Sequence, residues 1–361
     1  MKRIVKAFSL SLALLAATVV IAQDANKEKS KSYTKSYNVG SGDKIKLNNS
    51  FGEMKITTWD RNEIKVDVSI TAKAMTDQRA QVILDSIRIE DGKSGSEIFF
   101  KTHINEHNNW DGDNNNNNNN RNNNRERRDS ARKDRNNDHE RYNNESFKIN
   151  YSVSLPKNAT LEASNGFGPM VIGDYSGPVT LNSRFGSLVA GKLAQSVKVS
   201  VEFGKGTIES INGGKINIGF SRAVINKLSG DIEASFNQGA TKIGIDNNIK
   251  KLDIKNNFSQ LYLDTDNTLS ADFNIKSSFG SFSNTTGLVV KEQEEENQNG
   301  RRRYGPRNTH NISGKVGAGT LPIKINNNFG HITLGHNITF DVNDKSKDKN
   351  DKTKPAKSIR V

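Results

Sequence analysis

The stretch Thr180–Leu193, TLNSRFGSLVAGKL, decides the fold. Ahead of Phe185, Leu181 and Ser183 fall in one phase, with Val179 two residues earlier. Behind it, Leu188 and Ala190 fall in one phase. Alternation with period two marks strands that bury one face, here interrupted by a Phe-Gly pair. The arrangement recurs at Phe51, Phe167, Phe203, Phe220, Phe236, Phe258, Phe279 and Phe329. From Phe167 to Phe279 the steps are 18, 18, 17, 16, 22 and 21. Self-similarity at a fixed period is the signature of a solenoid or array.

The flanks repeat with the ring. Four residues ahead stand Leu47, Ala163, Leu181, Val199, Ile216, Ile232, Ile254, Ile275 and Ile325. Gly follows as Gly52, Gly168, Gly186, Gly204, Gly280 and Gly330, and Ser221, Asn237 and Ser259 fill the other copies. Gly and Asn tolerate positive φ, so the expected unit is strand, corner, strand, return. The predicted fold is therefore all-β, a single-stranded β-solenoid of coils stacked about 4.8 Å apart. The phase turns each Phe inward, predicting a ring ladder inside the coil. Two residues ahead of the ring, Asn49, Asn165, Ser183, Asn256, Ser277 and Asn327 also point inward. Such amides bond along the stacking axis. An antiparallel sandwich requires alternation but no phased Phe, and a propeller needs repeats of about 40 residues.

The N-terminus reads as an export signal over 1–22. Lys2, Arg3 and Lys6 precede the apolar run Phe8–Ile21, and Val20 and Ala22 suit cleavage after Ala22. A retained anchor is the alternative. Residues 23–36 are polar and expected to be flexible, and 37–341 form the solenoid. Glu63–Lys73 alternates as a longer strand, and Thr76 caps a short helix near 76–86. Two insertions interrupt the domain. One, 105–145, is rich in Asn and Arg and too poor in apolar residues to order itself. Its flanking strands, 96–104 and 146–155, are expected to pair as a hairpin. The other, 291–309, places an acidic run before Asn299–Gly300 and Arg301–Arg303 after it. A Lys-rich disordered tail, 342–361, closes the chain.

Composition excludes several functions. With no Cys, no disulfide holds the fold and any zinc site needs His or carboxylate ligands. His103 and His107 are four apart, but His107 sits at the edge of the first insertion. His331 and His336 bracket a strand without a carboxylate nearby. No metal and no cofactor are predicted. In the first insertion eight basic residues, Arg121 through Arg141, are offset by the acidic ones from Asp111 to Glu145 and have no aromatic platform among them, which excludes nucleic acid. The net charge of +13 becomes +10 after removal of the +3 signal. That balance suits anionic surfaces but equally serves solubility. No P-loop, nucleophile elbow or dinucleotide fingerprint occurs. Asp264 and Asp266, two apart, are the one candidate carboxylate pair for β-helix polysaccharide chemistry. Asp129–Ser130–Ala131 makes Ser130 a candidate glycosylation site, with Asp85–Ser86–Ile87 a second match.

The units NNSFGEMKITTW (48–59), SNGFGPMVIG (164–173) and NNNFGHITLG (326–335) resemble the putative-adhesin family of exported bacterial proteins. The resemblance covers about 45–341 outside the insertions. It implies a β-solenoid with FG-containing repeats and no catalytic motif. The expected function is adhesin-like binding or scaffolding at the cell envelope, in the periplasm, on the outer surface or outside the cell. Envelope polysaccharide or a surface protein is the expected partner. The alternatives are a β-helix carbohydrate-active enzyme and an envelope-sensing component working through a partner protein.

Overall fold

A computed structural model describes residues 26–105, 145–292 and 309–344. The predicted signal, most of both insertions, the tail from 345 and Ser130 lie outside the described residues. The described chain is all-β with one helix, in a large mixed sheet that is not closed.

The N-terminal layer comprises β1 (Lys27–Asn38), β2 (Lys44–Phe51), β3 (Met54–Trp59), β4 (Glu63–Ala74), α1 (Asp77–Ser86), β5 (Ile87–Ser94), β6 (Glu97–Ile104) and β7 (Ser146–Pro156). Thr76 caps α1 by accepting from the Arg79 amide, as the sequence predicts. Two expectations fail here. Residues 27–36 are not a flexible lead-in; they belong to β1, paired antiparallel along the whole of β4. Hydropathy hides this strand because polar contacts hold it. Lys31 Nζ donates to the carbonyls of Leu84 and Ile87 at the end of α1, and the Tyr33 and Tyr37 hydroxyls both donate to Asp91. Nor do the strands around the first insertion form a hairpin. β6 pairs with β5 across a turn at Gly95 (φ 57°), whereas β7 pairs with β4 and β3.

Beyond this layer follow β8 (Thr160–Phe167), β9 (Met170–Ile172), β10 (Tyr175–Arg184), β11 (Ser187–Glu202), β12 (Lys205–Ile245) and β13 (Ile249–Thr265). Successive passes of the chain pair in parallel and in register. Leu47 faces Ala163, Ala163 faces Leu181, Leu181 faces Val199, and Val199 faces Ile216. Their inward side chains form one continuous aliphatic core.

The last passes are stacked out of sequence order. They are β14 (Ala271–Ser278) with β15 (Ser281–Asn284), then β16 (Lys291–Glu292) and β17 (Thr309–Val316), then β18 (Leu321–Asn328) with β19 (His331–Gly335). β18 lies between β13 and β14, pairing parallel with both: Ile325 faces Ile254 on one side and Ile275 on the other. β17 then covers β14 antiparallel. The final pass thus lies between two earlier ones.

The Asn/Ser column is inward and buried. Asn49 Nδ2 donates to Asn165 Oδ1 at 3.1 Å, Asn256 Nδ2 to Asn327 Oδ1 at 2.7 Å, and Asn327 Nδ2 to Ser277 Oγ at 2.9 Å. The same column turns apolar at Val201, Ile218 and Phe236. Where the amide ladder meets that block it loses partners: Ser183 Oγ and Asn256 Oδ1 are buried without a hydrogen bond. An unmade buried bond costs more than a made one contributes, so the two kinds of position respond differently to truncation.

Two outcomes follow. Asn165→Ala removes one of the two acceptors of Asn49 Nδ2, leaving the Ile149 carbonyl, and the donor to the carbonyls of Gly52 and Gly168, and lowers unfolding free energy by about 2–3 kcal/mol. Ser183→Ala removes a hydroxyl with no partner and changes it by under about 1 kcal/mol; denaturant titration of both variants checks the contrast. Alkali tests the N-terminal layer. The Asp91 hydrogen bond pushes the Tyr37 phenol up to about 12, and burial pushes Tyr151 up to about 12. Both exceed the unfolded value of about 10, so this stability is complete below about pH 10 and is lost as pH rises toward 12. Thermal melts should fall across that window, and less steeply for Asp91→Asn.

Candidate functional site: an exposed aromatic ridge

The phenylalanines line up, but not where the strand phase put them. The expectation of an internal ring ladder fails: Phe167, Phe185, Phe203, Phe220, Phe258, Phe279 and Phe329 are 42–59% exposed. The reason is the backbone. Phe185, Phe203, Phe220, Phe258, Phe279 and Phe329 adopt φ of 48–56°, in the left-handed region. A residue there breaks the inside–outside alternation, so the ring leaves the core phase and projects from the corner.

The following glycines serve another purpose than the one expected of them. Gly186, Gly204, Gly280 and Gly330 do not carry the positive φ. A Cβ on Gly186 would lie 2.0 Å from the Gly168 carbonyl oxygen, and one on Gly204 1.9 Å from that of Gly186. Gly186 and Gly204 are Gly because backbone meets backbone at the corner, while at Gly280 and Gly330 the amides of Asn327 and Asn256 press closest. Only in the first two passes does the left-handed residue move onto the glycine, at Gly52 (φ 115°) and Gly168 (φ 119°).

One ring was misassigned. Phe236 is fully buried and faces Asn256, in the inward amide column. Its pass places Gln238 (φ 48°) at the corner, with Asn237 facing Asn257 and Gly239 facing Ser259. With Gln238 substituted, the steps from Phe167 become 18, 18, 17, 18, 20 and 21, closer to one period. A polar residue holds this corner, two residues beyond the nearest aromatic one. The evenness of the spacing was the signal that would have found it.

Outside the core the rings stack face to face. Phe51, Phe167, Phe185, Phe203 and Phe220 form one run with centroids 4.8–4.9 Å apart and planes within 5–12°. Gln238 interrupts, and Phe258, Phe329 and Phe279 form a second run at 4.9 Å with planes within 4°. Phe51 is also covered at its edge by Phe147, at 5.1 Å and 72°. Because the faces engage one another, the ridge presents ring rims. A groove of about 670 Å³ runs along Phe185, Phe203 and Phe220, floored by Gly168, Gly186 and Gly204. A second polar column flanks the rings, where Asn257 Nδ2 donates to Asn237 Oδ1 and Asn328 Nδ2 to Asn257 Oδ1, each at 3.0 Å.

Asp264 and Asp266 do not converge on a reaction. Asp264 pairs with Lys242 Nζ at 2.8 Å and accepts from the Ile338 amide. Asp266 folds a turn, accepting from the Thr268 amide and hydroxyl. Together with Lys242 donating to the Ile338 carbonyl, Asp264 anchors the segment after β19. That segment continues as Phe340 over Arg222 and Asn343 on Lys205 Nζ. His336 Nδ1 donates to the Thr265 carbonyl, His331 bonds Ser281, His103 pairs with Glu90, and His310 pairs with Glu292. Among the described residues no cluster of three or more His or carboxylate side chains is arranged to hold a metal ion. Ser86, the second glycosylation match, ends α1 with its hydroxyl donating to the Ile83 carbonyl.

No protein-family model matches the chain, and no curated protein matches it significantly. Solved structures are similar to it, three of them as follows. One is a putative adhesin from Bacteroides fragilis, at 11% identity and TM-score 0.37 over 84% of this chain and 97% of the other. One is a putative cell adhesion protein from Clostridium sporogenes, at 11% and 0.27 over 85% and 99%. The third is a putative lipid binding protein from Parabacteroides distasonis, at 12% and 0.29 over 84% and 96%.

Asp264→Ala should release the segment after Gly335. Truncating one partner of this half-buried pair costs about 1–3 kcal/mol. Limited proteolysis should show earlier cleavage within 336–344 than in the parent, with the parallel strands still protected.

Proposed function

We propose that the protein is an exported, non-enzymatic component of the cell envelope that binds or scaffolds through the surface of a β-solenoid. The exposed phenylalanine ridge carries this reading. Holding an ordinary residue in the left-handed region costs about 1–2 kcal/mol. A stacked ring contributes about 0.5–1.5 kcal/mol, and half-burying it about 1 kcal/mol more. These terms nearly cancel, and Gln238 takes the same backbone with no ring at all. Stability therefore does not require Phe at these corners, whereas a contact surface does. An apolar strip of this extent on a water-soluble surface is the usual mark of an interaction site.

The parallel, in-register pairing of successive passes supports the solenoid, and the apolar run Phe8–Ile21 with Ala22 supports export. Between the two expected partner classes, the stacking favours a protein. Sugar rings pack on aromatic faces, and here the faces are spent on one another.

The triple variant Phe185→Asn, Phe203→Asn, Phe220→Asn tests the reading. Asn visits the left-handed region more readily than any other side chain with a Cβ save Asp, so the fold should persist. Its melting temperature should stay within a few degrees of the parent, while retention in the envelope fraction of an expressing bacterium drops several-fold. Full retention by the folded variant would move the binding surface off the ridge.

A further inference from the structure

We infer that the ridge is a self-association surface, and that its occupant is the ridge of a second copy of this chain, packed antiparallel about a twofold axis. The inference rests on the ridge being a binding surface and names its partner.

Area is the first observation. The four half-exposed rings Phe167, Phe185, Phe203 and Phe220 leave roughly 100 Å² each, so this run offers about 400 Å². That is about half of the roughly 800 Å² per partner of a standard stable interface, the size of a weak, concentration-dependent contact. Ser50, Gly166, Gly219 and Asn237 precede the corner residues of this run in the flanking column. They are small or uncharged and add contact without burying charge.

Period is the second. The rims repeat every 4.8–4.9 Å over five consecutive rings. A surface that meets them rim after rim must carry the same spacing. The chain carries it by construction, through interstrand hydrogen bonding.

Charge fixes the orientation. In the flanking column the charged side chains are Arg184 and Glu202, adjacent and 3.3 Å apart. A twofold axis lying in the contact plane, across the ridge and midway between Phe185 and Phe203, reverses the row and keeps that column against itself. Arg184 then faces the other copy's Glu202, and the reverse contact repeats it, as an isologous interface requires. The same operation sets Phe185 against the other copy's Phe203, and Phe167 against its Phe220. Phe51 meets Gln238, where the ring run ends.

Sedimentation velocity of the exported, purified protein over about 1–100 µM tests this. The parent should pass from monomer to dimer with concentration. Phe185→Asn with Phe203→Asn should remain monomeric while keeping the parent's melting profile. Arg184→Glu should weaken the dimer about tenfold or more, and Arg184→Glu combined with Glu202→Arg should restore it. A parent that stays monomeric throughout, or a dimer indifferent to the two Phe substitutions, overturns the inference. A monomeric parent whose envelope retention still depends on Phe185, Phe203 and Phe220 overturns the second copy as occupant but keeps the binding surface.

Discussion

Parallel, in-register pairing of one pass of chain on the next is the constraint from which the rest follows. Once Leu181 sits over Ala163 and under Val199, every other column is fixed with it. Residues at equal positions in successive passes become neighbours at the interstrand spacing. Each column must then suit stacking on itself: aliphatic side chains in the core, amides that bond to amides, glycines where carbonyls press close, rings that lie flat on rings. A column that changes character leaves a boundary, and Ser183 Oγ and Asn256 Oδ1 mark the two boundaries of the amide column.

The corner shows how a local backbone choice becomes a surface property. A left-handed residue resets the alternation, so the bulkiest member of the repeat is expelled from the core and stacked outside it. The glycine behind it admits the neighbouring backbone, which brings successive corners close enough for the rings to touch. The rigid ridge and the core are therefore two products of one spacing. The ends of the stack are finished by polar means. Lys31 and the two tyrosines hold β1 in place at one end, and Asp264 with Lys242 fastens the closing segment near the other.

The out-of-order final pass shows the limit of reading a repeat along a line. β18 carries the same phased residues as β13 and β14, and nothing in its sequence distinguishes a third neighbour from a central one. The antiparallel cover of β17 takes one edge of β14, and β18 takes the other, beside β13.

The sequence by itself determined the strand content, the period, the inward amide column and the helix cap at Thr76, because each depends on neighbours a few residues apart. It also identified the recurrent Phe-Gly pair as the place where the chain turns. It did not determine which residue of the pair takes the left-handed conformation, or whether the rings face in or out. Both answers satisfy the same alternation, and only the contacts between passes choose. Those contacts likewise placed Gln238 rather than Phe236 at its corner, made a strand of a polar lead-in, and put Asp264 to structural use. In each case the deciding partner lies far along the chain, where periodicity has no reach.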